Sequence, residues 1–118
     1  MRKATIRTKR VYAPPAPDDG FRILVDRLWP RGLSKEKARV DIWMKETAPS
    51  NELRRWFGHD ASRWQEFRKR YLAELQENSE AVTQFLEIIN LENTVTLLFA
   101  AADEERNNAV VLEEYLNS

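Results

Sequence analysis

The amino-acid sequence predicts an α/β domain, a mostly parallel sheet of about four strands flanked by helices on both faces. Three observations carry that reading. Residues 21–26 (FRILVD) and 94–100 (TVTLLFA) are continuously apolar at their centres, as strands covered on both faces are. The intervening segments space apolar residues by three and four, the period of a helix buried along one side. The order of elements is strand, strand, short helix, strand, three helices, strand, helix, and right-handed crossovers in such an order place helices on both faces.

The first strand is expected over residues 4–12, where Thr5, Ile6, Thr8 and Val11 favour extension. The Pro-rich stretch 13–20 that follows forbids regular structure and reads as a surface loop. After the strand at 21–26, Trp29 precedes Pro30, which keeps the chain out of a helix there. Ser34 can cap a short helix over 35–38, and a weaker strand is expected over 39–43. Ser50 caps a helix reaching Trp56, which Gly58 stops. Asp60 caps a helix to about Glu77, with Trp64, Phe67, Tyr71 and Leu75 facing inward. Ser79 starts another, with Val82, Phe85, Leu86 and Ile89 inward, and residues 104–116 close the chain as a helix.

The 118 residues make about one domain, residues 1–118, large enough to bury a core without staples. With no cysteine, disulfides, thiolate metal sites and cysteine nucleophiles are excluded, and the lone His59 excludes a multi-histidine metal site. The sequence calls for no metal and no cofactor. No apolar run approaches bilayer length, and no apolar signal core stands at the N-terminus, so the expectation is a cytoplasmic protein with no membrane partner. The net charge is zero but uneven: residues 1–40 hold eleven basic and four acidic side chains, residues 41–118 eight and fifteen. Those early cations either line an anion site or pair with the acidic part across the surface.

Ligands of open α/β sheets bind beyond the carboxyl ends of the strands. That rule selects residues 26–32, 45–50 and 101–108. In the first segment Arg27 and Arg31 flank a rigid Trp-Pro step and suit bidentate binding of phosphate or carboxylate. Trp29 offers a face for stacking, and Asp26, at the strand end, can orient Arg27 or accept a proton as the candidate catalytic group. In the second, Lys45 supplies a point charge and Ser50 stands at a helix N-terminus, where a plain capping role competes with anion binding. In the third, Asn107 and Asn108 fall in the first turn of the last helix, where an Asn either closes a local hydrogen bond or points its amide at a ligand. The sequence His59-Asp60 reads more simply as a link between two helix ends than as an acid–base pair, since no nucleophile matches it. There is no GxGxxG element and no Walker loop.

The segments FRILVDRLWPRGLSKEKA, KETAPSNELRRWFGHDASRW and VTLLFAAADEERNNAVVLEEYL resemble the YeaO-like branch of domain-of-unknown-function family 488 over nearly the whole chain. The resemblance implies a compact α/β domain from a bacterial and archaeal family without an established activity. Asp26, Arg27, Trp29, Pro30, Arg31 and Gly32 fall on its signature, as do Lys45, Pro49, Ser50, Phe57 and Asn107. Distant relatives carry Cys-His-Arg where this chain has Arg106-Asn107-Asn108, so thiol and imidazole chemistry does not transfer. The functional expectation is a site for a small anionic or nucleotide-like ligand, catalytic or not, in which Arg27, Arg31 and Asn107 share one hollow. The alternatives are a nucleic-acid-binding module using the basic first third, at odds with a pI near 6.6, and a protein-interaction module.

Overall fold

A computed structural model of the chain describes residues 4–117. Four strands, β1 (Thr5–Arg10), β2 (Phe21–Leu24), β3 (Ile42–Trp43) and β4 (Thr94–Phe99), form one sheet in the order β1-β4-β2-β3. Every pairing is parallel. The last strand is therefore internal: Leu97 and Leu98 of β4 face Thr8 and Lys9 on one side and Ile23 and Leu24 on the other. Among the described residues five α-helices accompany the sheet: α1 (Lys35–Ala38), α2 (Asn51–Phe57), α3 (Trp64–Glu77), α4 (Ser79–Ile89) and α5 (Asn108–Asn117).

Both faces of the sheet are covered, but unequally. Because side chains alternate along a strand, Ile23 and Val25 of the β2 segment join Val95, Leu97 and Phe99 on one face. There they meet the apolar sides of α2 to α5, including Phe67, Tyr71, Phe85 and Leu112. Leu24 and Leu98 point the other way, into a smaller cluster with Val11 and Ala38 of α1. Trp29 and Trp43 pack against this second cluster, their rings edge to face at 5.6 Å.

Charge is buried on the same thinly covered face. Arg22 is 5% exposed and donates to Asp19 Oδ2 at 2.5 Å and to the carbonyls of Ala38, at the end of α1, at 2.7 Å and of Arg39, just beyond it, at 3.0 Å. Lys9 donates to both Asp19 oxygens, and Thr96 Oγ1 donates to the Asp19 carbonyl. Burial pushes the Asp19 carboxyl up, but the Ala16 N–H, Lys9 and Arg22 outweigh it and hold it below the usual range. With Arg7 paired to Asp18, the ion pairs of the first forty residues stay inside that segment among the described residues. Gly20 makes the turn into β2 possible: at φ 68° its absent Cβ would lie 2.3 Å from the Thr94 carbonyl oxygen.

Several element ends differ from expectation: β1 and β2 stop at Arg10 and Leu24, short of 12 and 26, and a 3-10 turn over Pro17–Asp19 interrupts the loop expected over 13–20. The strand expected over 39–43 shrinks to Ile42–Trp43, because Arg39 takes left-handed geometry, φ 48°, to end α1. Asp60 starts a 3-10 turn over Ala61–Arg63, and α3 follows from Trp64. The last helix begins at Asn108, not 104. Asp103 instead holds the N–H groups of Glu105 and Arg106, and Asn107 Oδ1 caps the helix through Val110 N–H. Among the described residues no helix is long and apolar enough to cross a membrane.

Candidate functional site

The chain segments leaving β1, β2 and β4 enclose a cleft of about 830 Å³. Arg10 and Tyr12 border it from β1, Asp26 and Leu28 from β2, and residues 100–103 from β4, while His59, Arg106 and Asn108 close the remaining side. The site lies where a parallel sheet opens its carboxyl edge to solvent.

Asp26 sits at its base. The Ala100 N–H donates to Oδ2 at 2.9 Å and the Asn108 amide donates to Oδ1 at 3.0 Å. The same Asn108 nitrogen donates to the Val25 carbonyl at 3.0 Å, so the first residue of α5 is clasped to the end of β2. Burial raises the Asp26 carboxyl above the usual range, and its two donors and the His59 charge only partly offset that.

The cations of the cleft are held differently. Arg10 donates from Nε to Ala101 O at 2.9 Å and from Nη2 to Ala100 O at 3.2 Å, and its guanidinium lies 5.2 Å from the centre of the Tyr12 ring. Those bonds fix its plane, and Nη1 takes no hydrogen-bond partner among the described residues. Arg106 is tethered to Asp103 within one turn at 3.1 Å and is exposed. His59 is exposed and adopts φ 58°, a left-handed conformation that costs a non-glycine residue on the order of 1–2 kcal/mol. It follows Gly58, also left-handed as the end of α2, and the two together turn the chain so that the imidazole faces the cleft.

Of the side chains given a ligand or catalytic role from the sequence, Asp26 and Asn108 border this cleft, and Leu28, residues 101–103 and Arg106 border it from within the selected segments. Arg27 points to the far side of the β2 segment and donates to Pro49 O at 2.9 Å and Ala48 O at 3.2 Å. There it borders a separate hollow of about 180 Å³ with Tyr71 and Glu74. Arg31 is exposed, and its carbonyl accepts the Tyr12 hydroxyl at 2.8 Å. Trp29 donates its indole N–H to Leu33 O at 2.7 Å and packs on Trp43, away from the cleft. Lys45 lies 4.9 Å from the centre of the Trp43 ring. Ser50 is a cap: it accepts from Leu53 N–H while its own N–H and hydroxyl donate to Glu74 at 2.9 and 2.6 Å. Asn107 is buried with both ends of its amide occupied, by Asp103 O and Val110 N–H. The expected gathering of Arg27, Arg31 and Asn107 around one hollow is therefore not what the fold produces. The carbonyls at 48–49 take up the first, solvent surrounds the second and a helix start occupies the third.

Arg10, Tyr12 and Arg106 border the cleft without a ligand role assigned from the sequence, and His59, read there as a link between helix ends, borders it too. The carboxyl-end rule applied to β1 as well as to β2 and β4 points to residues 10–12. His59 carries no such signal, because its approach depends on α2 packing over the sheet. Among the described residues no group of three or more His, Asp or Glu is gathered to hold a metal ion.

The chain matches, over residues 5–118, the DUF488-N3i family, described as the inactive DUF488-N3 subclade. It belongs to that family. It is 42% identical over 113 residues to the uncharacterized protein YeaO of Escherichia coli, covering 96% of this chain and 97% of that one. It is equally 42% identical over 117 residues to an uncharacterized protein of Mycobacterium tuberculosis, covering 99% of this chain and 98% of its relative. No solved structure matches it. In this DUF488-N3i chain, Arg106-Asn107-Asn108 occupies the junction of β4 and α5. One of its three side chains clasps Asp26, one caps the helix and one faces the cleft.

Proposed function

We propose that the chain binds a small anionic, nucleotide-like molecule in the cleft at the carboxyl ends of β1, β2 and β4, and holds it without converting it. The observation that carries the reading is the convergence of Arg10, His59 and Arg106 on a concavity of about 830 Å³, ample for a small ligand. Two acids share the cleft: Asp103, whose pairing with Arg106 offsets both charges, and Asp26, half-buried behind its donors. Tyr12 takes the stacking role expected of Trp29, since the residue is 41% exposed at the rim.

Binding without turnover is supported by the chemistry of the lining. It contains no Ser, Thr, Lys or Cys, hence none of the usual nucleophiles of covalent catalysis except His, Tyr and carboxylate. Both Asp26 oxygens already accept hydrogen bonds, and Asn108 beside it transfers no proton. The family's description as inactive agrees. The nucleic-acid alternative loses ground because Arg7, Lys9 and Arg22 are spent on Asp18 and Asp19.

Calorimetric titration with adenosine mono- and diphosphate, pyrophosphate, inorganic phosphate and short carboxylates tests the proposal. At least one probe should bind, and Arg106→Ala should weaken it about tenfold, the effect of losing a charge-assisted contact, while Arg31→Ala leaves it unchanged. Absence of binding by every probe, or equal loss in both variants, overturns it.

A further inference from the structure

A second hollow, a groove of about 510 Å³, opens between the loop after β1 and helix α1. Residues 11–15 line it on one side, and Leu33, Glu36, Lys37 and Arg39 on the other. Tyr12 belongs to both the groove and the cleft. Its hydroxyl is fixed on Arg31 O at 2.8 Å and the residue is exposed, so the two hollows adjoin along it.

Backbone strain marks both hollows. Among the described residues two that are not glycine have positive φ, Arg39 at 48° and His59 at 58°. The first lines the groove and the second the cleft. A left-handed residue other than glycine costs free energy and persists only where its surroundings enforce it. At Arg39 the N–H donates to Lys35 O at 3.2 Å, and the carbonyl accepts from buried Arg22 Nε at 3.0 Å. A glycine would make the same turn without strain. The arginine side chain gives the fold nothing in return: it is exposed and has neither hydrogen bond nor ion pair among the described residues. The His59 imidazole is likewise exposed and without a hydrogen-bond partner there.

Charge points the same way. Arg7, Lys9 and Arg22 are held by Asp18 and Asp19, but Lys37 and Arg39 are exposed and free of ion pairs among the described residues. Against the single acid of the lining, Glu36, they leave the groove net positive.

We propose that the cleft and the groove together hold a dinucleotide, one nucleotide unit in each, with a base stacked on Tyr12 between them. The inference rests on the cleft being a ligand site, and it narrows the ligand class to a molecule with two phosphates set apart. Each hollow falls within the roughly 300–1,000 Å³ of small-molecule sites, so a mononucleotide leaves one of them empty. Arg10, His59 and Arg106 face one phosphate, and Lys37 and Arg39 the other. An exposed aromatic ring stacks on a base whatever its identity. A pyrophosphate-linked dinucleotide fits less well, because both of its charges lie together at the middle, between the two sets of cations.

The full chain is titrated calorimetrically with adenosine monophosphate, with the 5′-phosphorylated, phosphodiester-linked dinucleotide pApA and with diadenosine pyrophosphate. The dinucleotide pApA should bind roughly tenfold tighter than either of the others, or more. Arg39→Gly keeps the left-handed turn and removes the side chain; it should weaken pApA about tenfold and leave the monophosphate unchanged. Arg106→Ala should weaken both. In a second readout, the backbone amide resonances of Leu33 and Lys37 should shift with pApA and stay in place with the monophosphate. Equal affinity for all three probes, or pApA binding untouched by Arg39→Gly, overturns the spanning ligand and leaves the cleft as a mononucleotide site. Binding of pApA that is lost in Arg39→Gly but intact in Arg106→Ala overturns the spanning ligand and the cleft with it. Tighter binding of the pyrophosphate overturns the separation of the two phosphates. No binding by any probe overturns groove and cleft together.

Discussion

Beneath α1, Arg22, Asp19 and Lys9 are locked together with the carbonyl at the end of α1 and Thr96, while at the carboxyl edge Arg10, Asp26, His59 and Arg106 stand around open space. The two regions use the same kinds of side chain. In the first, each charge finds an opposite charge or a carbonyl, and the cluster is as closed as the apolar core beside it. In the second, Asp26 is half-buried with neutral donors, so its pKa rises where that of Asp19 falls. Charge balance, not residue type, separates a structural network from a site.

The largest test of that contrast removes Arg22. Arg22→Met should destabilise the domain by about 3–5 kcal/mol, because Asp19 then remains buried with Lys9 as its one countercharge among the described residues. Urea unfolding at pH 7 measures it, and a loss below about 1 kcal/mol would place the pair with exposed ion pairs of little worth. The second test is Gly20→Ala, whose methyl group would meet the Thr94 carbonyl in a left-handed conformation. A loss of about 2 kcal/mol or more is expected, read as a lower urea midpoint.

The opposite pKa directions predict opposite pH responses. Asp19 is lowered, so its contribution is present above pH 3.8 and disappears as pH falls through the folded-state value. Asp26 is raised, so its ionisation weakens the fold as pH climbs from 3.8 through its higher folded-state value. Asp19→Asn should therefore cost most at neutral pH and little in acid. The stability of Asp26→Asn relative to wild type should improve as pH rises across its window. Unfolding curves from pH 3 to 7 decide the matter, and parallel pH dependences for the two variants would erase the distinction.

His59→Gly gives a smaller effect of mixed sign. Release from φ 58° should add about 1 kcal/mol of stability, while loss of the imidazole should weaken any ligand of the cleft. Arg31→Ala is the smallest, within about 0.5 kcal/mol of wild type, since its side chain is exposed.

The fold was more legible in the sequence than the site, for a physical reason. Helix α3 announces itself because Phe67, Tyr71 and Leu75 must share one side to be buried. The strands 21–24 and 94–99 do so because only a covered strand is apolar on both faces. Such signals are local. The placement of Arg27 is not: it depends on the loop carbonyls of Ala48 and Pro49 lying within reach, and nothing near residue 27 records them. Arg10 becomes a cleft residue only because β4, and not β2, is the neighbour of β1. Asp26 was readable because a strand end fixes both its position and its exposure to the carboxyl edge. Ser50 was readable as a helix cap, and the structure uses it so, whereas Asn107, expected inside a helix from 104, caps one that starts at Asn108.

The internal position of β4 has a consequence for how the protein comes into being. During synthesis, Thr94–Phe99 leaves the ribosome after about four-fifths of the chain, yet it supplies the hydrogen bonds that join β1 to β2. Until it emerges, the earlier strands have no partner except the two-residue pairing of β2 with β3, and long-range pairings of this kind form slowly. Nascent chains stalled before residue 94 should be protease-sensitive, and resistance should arrive in one late step as the final strand slots between its neighbours.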